Sequence, residues 1–207
     1  MIAALRVSNL TLTRGERVLF RSLGFDLAAG RALALTGANG AGKTSLLRAV
    51  AGFIRPEAGE IVFRDSAGDP LDPVEARARG VHLLGHLDGL KGARSARDEL
   101  RFQADWLGDG QARTEAAVER LGLAPLLDLE VRKLSAGQRR RLALARLVAA
   151  PRALWLLDEP LGPLDARWRA AAGAMMQAHL DGGGLIVAAV HDPLPIGARV
   201  LALGDAS

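Results

Sequence analysis

The chain has 207 residues, of which 49% are hydrophobic, so it can bury a full core and is too short for two ordinary domains. It contains no cysteine, which excludes disulfides, thiolate catalysis and cysteine-ligated metal or haem groups. Its net charge of +4 comes from arginines scattered among carboxylates, and only 4% of the residues are aromatic, a pattern that argues against a nucleic-acid surface.

Apolar segments with strand character recur along the chain, and helical patterns lie between several of them. The predicted strands are Leu5–Leu12, Ala32–Leu35, Glu60–Phe63, Val81–Leu84, Ala153–Leu157, Leu185–Val190 and Arg199–Leu203. Strands with intervening helices predict an α/β fold with a mainly parallel sheet, whose ligands lie beyond the carboxyl ends of the strands. The chain is read as one domain, 1–207, in which a helical subdomain of about residues 92–150 is inserted into the core.

A glycine-rich segment follows the second predicted strand and leads directly into a helical pattern. It reads Gly37-Ala38-Asn39-Gly40-Ala41-Gly42-Lys43-Thr44-Ser45. The backbone N–H groups of such a loop, together with the helix N-terminus behind it, bind a polyphosphate. Lys43 would reach the β- and γ-phosphates, and the Thr44 hydroxyl would bind Mg²⁺. The strand-to-helix context therefore predicts a nucleoside triphosphate site rather than a glycine-rich surface turn.

A later apolar segment, Leu154–Leu157, ends in two adjacent carboxylates, Asp158 and Glu159. In a chain with a phosphate loop, Asp158 would hold Mg²⁺ directly or through water. Glu159 would orient and deprotonate the attacking water. The alternative is that Asp-Glu-Pro only ends a strand or caps a helix, and the preceding phosphate loop favours catalysis.

The segment Leu134-Ser135-Ala136-Gly137-Gln138 lies between these two motifs and precedes an arginine-rich helical pattern. With this order of motifs, the chain resembles the ATPase subunits of ATP-binding cassette (ABC) transporters over nearly its whole length. The resemblance implies a P-loop NTPase fold with an antiparallel β portion. It also implies that Ser135, Gly137 and Gln138 bind the γ-phosphate held by a second copy, so that two copies sandwich two ATP molecules head to tail. Ala136 replaces a glycine that the family usually has there.

Two more residues take their roles from the same resemblance. Asp165 matches the loop that crosses to the partner's site, and His191 matches a histidine that contacts the γ-phosphate. His191 would complete a catalytic set with Lys43 and Glu159.

The chain departs from the family pattern at two further positions. Near position 14 the family usually has an aromatic residue that stacks on adenine, and this chain has Arg14, whose guanidinium plane would partly replace it on the base. The alternative is that Arg14 is a solvated turn residue. Phe20 is the next candidate for stacking on adenine. Where relatives have a glutamine close to the metal, this chain has His86, which is predicted to lie near Mg²⁺. The alternative is that His86 only spaces the loop and meets a membrane partner.

His179 is expected on a helix surface.

Within the family, the segment Leu84–Lys91 and the arginines after the signature resemble the ATP-binding subunits of cytochrome c maturation systems. This implies an ATPase with ATP and Mg²⁺ as cofactors that drives a CcmB-like integral membrane permease in haem export or haem-chaperone release. It would lie peripherally on the cytoplasmic face of the inner membrane, and the start of the chain carries no pattern of a secretory signal. The alternatives are the ATPase of another small-substrate exporter and a soluble ABC protein acting on nucleic acid.

Overall fold

The computed structural model describes residues 1–107 and 111–204. In chain order, its elements are β1 (Ala4–Arg14), β2 (Arg17–Ala28), β3 (Ala32–Thr36), α1 (Lys43–Val50), β4 (Ala58–Arg64), α2 (Pro73–Gly80), β5 (Val81–Leu84), α3 (Ala96–Leu107), α4 (Gln111–Arg120), α5 (Ala136–Ala149), β6 (Leu154–Asp158), α6 (Ala166–Asp181), β7 (Leu185–Ala189) and β8 (Arg199–Ala202). Two short 3₁₀ turns, Ala124–Leu126 and Val131–Lys133, precede α5. No helix in these two ranges is long and apolar enough to cross a membrane.

Five strands form one sheet in the order β5-β6-β7-β3-β8. β3 runs parallel to β7 and β8, and β6 runs parallel to β7. Every residue of β6 and β7 is buried, as expected for parallel strands covered on both faces. In this register the carboxyl ends of β3, β6 and β7 reach the same edge of the sheet, with Asp158 paired with Ala189 and Leu35 paired with Ala189. The predicted parallel core is confirmed.

Three strands form a separate antiparallel sheet, with β1 between β2 and β4. The buried residues of β1 change phase between Val7 and Leu10, where the register shifts and Asn9 has a φ of 50°. A bulge of this kind adds one residue and returns Leu10 to the buried face. The antiparallel portion agrees with the prediction, but β2 was missing from the predicted strands.

The helix α1 is held against the sheets by its apolar face. Leu46 and Leu47 are completely buried in a core that also contains Leu33 and Leu35 of β3. Burying a leucine side chain contributes about 1.5–3 kcal/mol. The start of α1 is therefore held firmly beside the end of β3, which is where the phosphate loop lies.

The chain forms two compact units. One comprises Met1–Leu83, Arg152–Glu159 and Gln177–Ser207, and the other comprises Leu84–Pro151 and Pro160–Met176. The first contains β1–β4, β6–β8, α1 and α2, and the second contains α3, α4 and α5. The predicted extent of the helical subdomain, about residues 92–150, stays a prediction.

The expectation that His179 lies on a helix surface is wrong. Its ring stacks on Trp155 with the ring centroids 3.8 Å apart and an interplanar angle of 7°, and its Nε2 lies 3.3 Å from the Leu185 carbonyl oxygen. Burial lowers the pKa of His179, and hydrogen bonds to the carbonyls of Leu185 and Ala153 partly oppose this shift. The aromatic partner on β6 gives the ring more favourable contact than water would, and the side chain is half-buried as a result.

Candidate nucleotide-binding and catalytic site

The phosphate loop connects β3 to α1 and needs glycine at its last position. Gly42 is the N-cap of α1 and has a φ of 98°, a conformation that L side chains rarely adopt. A Cβ atom there would lie 3.0 Å from the Phe20 ring and 3.2 Å from the Leu19 Cβ. No side chain caps this helix, so the first N–H groups of α1 keep their capacity to bind an anion.

Lys43 is almost completely buried at the start of α1, with 8% of its surface exposed. Its Nζ donates to the carbonyl oxygens of Gly37, at 2.6 Å, and Ala38, at 3.3 Å. A buried ammonium group needs such partners because desolvation disfavours its charge. These two hydrogen bonds hold the cation at the loop, where a phosphate group would be bound.

Thr44 and Asp158, which are far apart in the sequence, meet at the edge of the sheet. The Thr44 hydroxyl donates to Asp158 Oδ2 at 2.9 Å, and Asp158 is buried at the carboxyl end of β6. Mg²⁺ prefers hard oxygen ligands and usually takes only one or two from protein, the rest coming from water and phosphate. The pair therefore fits the predicted Mg²⁺ site.

Glu159 follows β6 with a strained backbone, since its φ of 47° is unusual for a residue with a side chain. Its N–H donates to the Ala189 carbonyl oxygen at 3.0 Å, which holds the residue at the end of β7. Glu159 Oε1 lies 3.4 Å from His191 Nε2, longer than the roughly 2.7–3.2 Å of an ordinary hydrogen bond. In the part of the chain that the structure describes, this buried oxygen has no hydrogen-bond partner. Glu159 Oε1 can therefore accept a proton.

One pocket brings together most of the predicted nucleotide and catalytic residues. It is lined by Arg14, Arg17, Leu19, Ala38, Asn39, Gly40, Ala41, Gly42, Lys43, Thr44, Ser45, Asp158, Glu159 and His191. Gly37 is not part of this lining and contributes through its carbonyl oxygen. His191 is exposed, with 56% of its side-chain surface accessible. The pocket therefore combines the phosphate loop, the acid pair and the histidine.

Sequence reasoning missed two residues of this pocket, Arg17 and Leu19. Both lie on β2, the strand absent from the predictions, and Arg17 is the cross-strand partner of Arg14. Phe20, the second candidate for adenine stacking, is only 5% exposed and lies in the core. The pocket wall near position 14 therefore presents two arginines and no aromatic ring.

The signature segment forms the N-terminus of α5. Ser135 Oγ accepts from the Gln138 N–H at 3.2 Å, and Gln138 Oε1 accepts from the Ser135 N–H at 2.8 Å, a reciprocal capping box. A Cβ atom on Gly137 would lie 2.9 Å from the Pro163 carbonyl oxygen. Glycine is thus required at position 137 by the close approach of another backbone segment.

Asp165 and His86, the remaining predicted site residues, lie in the same unit as the signature. Asp165 Oδ1 accepts from the Trp168 N–H at 3.0 Å, which caps the start of α6, and Asp165 is exposed. The His86 side chain is exposed, and its carbonyl oxygen accepts from the Arg140 guanidinium. The metal-binding role of His86 stays a prediction.

Comparison with known proteins identifies the family. The chain matches the ABC transporter family over residues 20–162. A "Cytochrome c biogenesis ATP-binding export protein CcmA" from Rhodopseudomonas palustris strain BisB5 is 50% identical over 199 residues, which cover 96% of this chain and 97% of that protein. The chain belongs to the ABC transporter family, among its CcmA members. The CcmA protein of strain HaA2 is 47% identical, over the same shares of both chains.

A solved structure confirms the fold. The putative ABC transporter ATP-binding protein from Pyrococcus furiosus superposes with a TM-score of 0.83, covering 97% of this chain and 98% of that one, at 20% sequence identity. The ABC ATPase fold expected from the order of the motifs is therefore present.

Proposed function

We propose that the chain is the ATP-binding and ATP-hydrolysing subunit of an ABC transporter complex in cytochrome c biogenesis, acting in haem export or haem-chaperone release. The observation that carries the hydrolytic part is the buried Glu159 Oε1 in the phosphate-loop pocket, which lies 3.4 Å from His191 Nε2 and has no hydrogen-bond partner among the described residues. The biogenesis part is supported by the names of relatives 41–50% identical to the chain.

In the proposed mechanism, the backbone of the phosphate loop and Lys43 bind the polyphosphate of ATP. Thr44 and Asp158 would hold Mg²⁺, which neutralises charge on the transferred phosphoryl group. Glu159 accepts a proton from the attacking water, and His191 orients the glutamate and the γ-phosphate. Positioned general bases of this kind contribute roughly 10²- to 10⁴-fold to a rate.

A second copy of the chain is proposed to complete each site. The N-terminus of α5 is exposed at Ser135 and Ala136, and its first N–H groups form a site suited to a phosphate. The γ-phosphate of ATP held by the partner would bind at Ser135, Gly137 and Gln138. Asp165 would face the partner in the same arrangement, which gives a head-to-tail homodimer around two ATP molecules.

The proposed complex also contains an integral membrane permease of the CcmB kind, with the chain bound at the cytoplasmic face of the inner membrane. The test has two arms in the native host. A tagged chain purified from detergent-extracted membranes should carry that permease. Deletion of the gene for this chain should abolish haem staining of c-type cytochromes. The wild-type gene should restore the staining, and the Glu159→Gln variant should not. Normal haem staining together with capture of a different permease would support another small-substrate exporter instead.

A further inference from the structure

An arginine outside the nucleotide pocket holds an exposed loop in the second unit. Arg140 of α5 is only 3% exposed. Its Nη1 donates to the Gly85 carbonyl oxygen and its Nη2 to the His86 carbonyl oxygen, both at 3.2 Å, while its Nε lies 3.3 Å from Asp88 Oδ1. One side chain thus contacts three residues of the same short loop, Gly85–Leu90.

The chemistry of the guanidinium group explains this geometry. A buried cation needs hydrogen-bond acceptors and a counter-charge, and arginine presents five donors in a planar fork. The contact between Arg140 Nε and Asp88 Oδ1 is close but is not aligned as a hydrogen bond. Charge attraction therefore holds the carboxylate, while the two carbonyl oxygens take the directional bonds. Lysine, a compact point charge, cannot reproduce this fork.

The half-buried carboxylate of Asp88 acts on more than one arginine. Burial lowers the pKa of Arg146, which lies nearly two turns further along α5, and the carboxylates of Asp88 and Glu99 oppose that shift while Arg140 adds to it. Glu99 is itself 1% exposed and pairs with Arg94 at 3.2 Å. The loop is therefore tied to α5 by a cluster of charged side chains, of which Arg140 and Glu99 are buried.

Arg140 is buried on α5, whereas the loop that it contacts carries exposed side chains. Arg140 lies five residues after Ser135, within the first turns of the helix that begins at the signature. The loop between the tied residues Gly85 and Asp88 carries two exposed side chains, His86 and Leu87, and Leu87 is 84% exposed. A displacement of the N-terminal turn of α5 would therefore reach the loop through the contacts of Arg140.

We propose that Arg140 is a positioning residue that couples the signature turn of α5 to the exposed loop Gly85–Leu90. When ATP orders Ser135 and Gly137, the loop and its apolar Leu87 become ordered with them. The proposal rests on the proposed function, because it needs a γ-phosphate at the signature.

The test uses the full chain with Glu159→Gln in the background, so that ATP is bound without turnover. Hydrogen–deuterium exchange is followed in peptides covering 84–91 and 134–140, with and without Mg-ATP. The test variant is Arg140→Lys. The matched control is Arg141→Lys, because Arg141 is also buried on the same helix but donates to the carbonyl oxygens of Leu121, at 2.8 Å, and Gly122, at 3.1 Å.

Mg-ATP is expected to slow exchange several-fold in both peptides of the background protein and of the Arg141→Lys control. In Arg140→Lys the slowing at 134–140 should remain and the slowing at 84–91 should be lost. Three results would overturn the proposal. The first is that Mg-ATP still slows exchange at 84–91 in Arg140→Lys, and the second is that this slowing is lost equally in the Arg141→Lys control. The third is that Arg140→Lys also loses the slowing at 134–140. If equilibrium dialysis detects no ATP binding to the background protein, the proposed function itself fails, and this inference fails with it.

Discussion

The nucleotide pocket and the signature are both built at a helix N-terminus, yet the two helices treat their first N–H groups differently. No side chain caps α1, whose N-cap is Gly42. By contrast, α5 is capped by Ser135 and Gln138 in a reciprocal box. An uncapped N-terminus leaves several backbone donors without partners, whereas a capped one is already stable in water. Under the proposed function, this difference suits α1 to a resident phosphate and α5 to a phosphate that a second copy brings.

Burial follows the same division. Lys43 and Asp158 in the pocket are buried, which raises the energetic value of every charge–charge contact there. Ser135 and Asp165 are exposed, where water competes for their donors and acceptors. Under the proposed function, we therefore expect tight ATP binding at the pocket and control of turnover at the signature.

The largest effect is expected from Glu159→Gln in the pocket. The amide keeps the shape of the side chain and removes the base, so steady-state ATPase activity should fall roughly 10²- to 10⁴-fold. ATP affinity should stay near normal, and the variant should accumulate as an ATP-bound dimer in size-exclusion chromatography. Glu60→Gln, an exposed change on β4, is the control. Unchanged turnover in Glu159→Gln would reject the assignment of the base.

A smaller loss is expected from Gly137→Ala at the signature. The added methyl group would lie 2.9 Å from the Pro163 carbonyl oxygen, so this backbone or the helix terminus must shift. A displacement of this kind should reduce kcat by about tenfold or more. ATP binding measured on the monomer should remain, because the phosphate loop is untouched. Ala136→Gly, at the neighbouring exposed position, is the matched control. Equal activity of Gly137→Ala and wild type would remove position 137 from the site.

A several-fold effect on affinity is expected from Arg14→Ala. Arg14 lines the pocket beside the phosphate loop, and a guanidinium plane on adenine contributes about 0.5–2 kcal/mol. ATP should bind several-fold more weakly, with kcat unchanged. Arg21→Ala, an exposed arginine of β2 outside this pocket lining, controls for net charge. If titration calorimetry gives the same ATP affinity for both variants, Arg14 does not hold the base, and Arg17 becomes the residue to test.

The smallest effect concerns stability and the stacked histidine. Burial lowers the pKa of His179 below its unfolded value of about 6.5, so the unfolded chain binds more protons in that range. The contribution of the neutral His179 ring to the free energy of unfolding is fully present above about pH 6.5 and is lost as the pH falls below that value. Urea unfolding from pH 7.5 to 5.5 should show this decline in wild type. His179→Phe keeps a ring on Trp155, and its decline should be shallower. Parallel pH profiles would contradict the burial argument.

The sequence was sufficient for the parallel core and for the motifs, because both depend on local pattern. The phosphate loop, the acid pair and the signature each lie where a predicted strand ends or a helix begins, and the structure gathers the first two in one pocket. The strand β2 was not predicted because charged and small residues interrupt its apolar positions. Its backbone is also irregular, since Ser22 has a φ of 48°. Arg17 and Leu19 were missed for the same reason.

Other features depend on tertiary contacts that no local pattern encodes. His179 stacks on Trp155 from a separate element, so its helical spacing alone placed it wrongly on the surface. Gly137 is required by Pro163, a residue 26 positions later. The burial of Arg140 depends on Asp88 and on carbonyl oxygens of a loop that lies far earlier in the chain.

The central claim is that two copies share each hydrolytic site, and mixing two inactive variants tests it directly. Lys43→Ala disables the phosphate loop, and Gly137→Val disables the signature by enlarging the clash with Pro163. In a mixed dimer, one site would combine both defects and the other would combine neither. Each variant alone should be inactive, and an equimolar mixture should recover ATPase activity to about a quarter of wild type. A mixture no more active than the mean of the two variants would contradict the shared site.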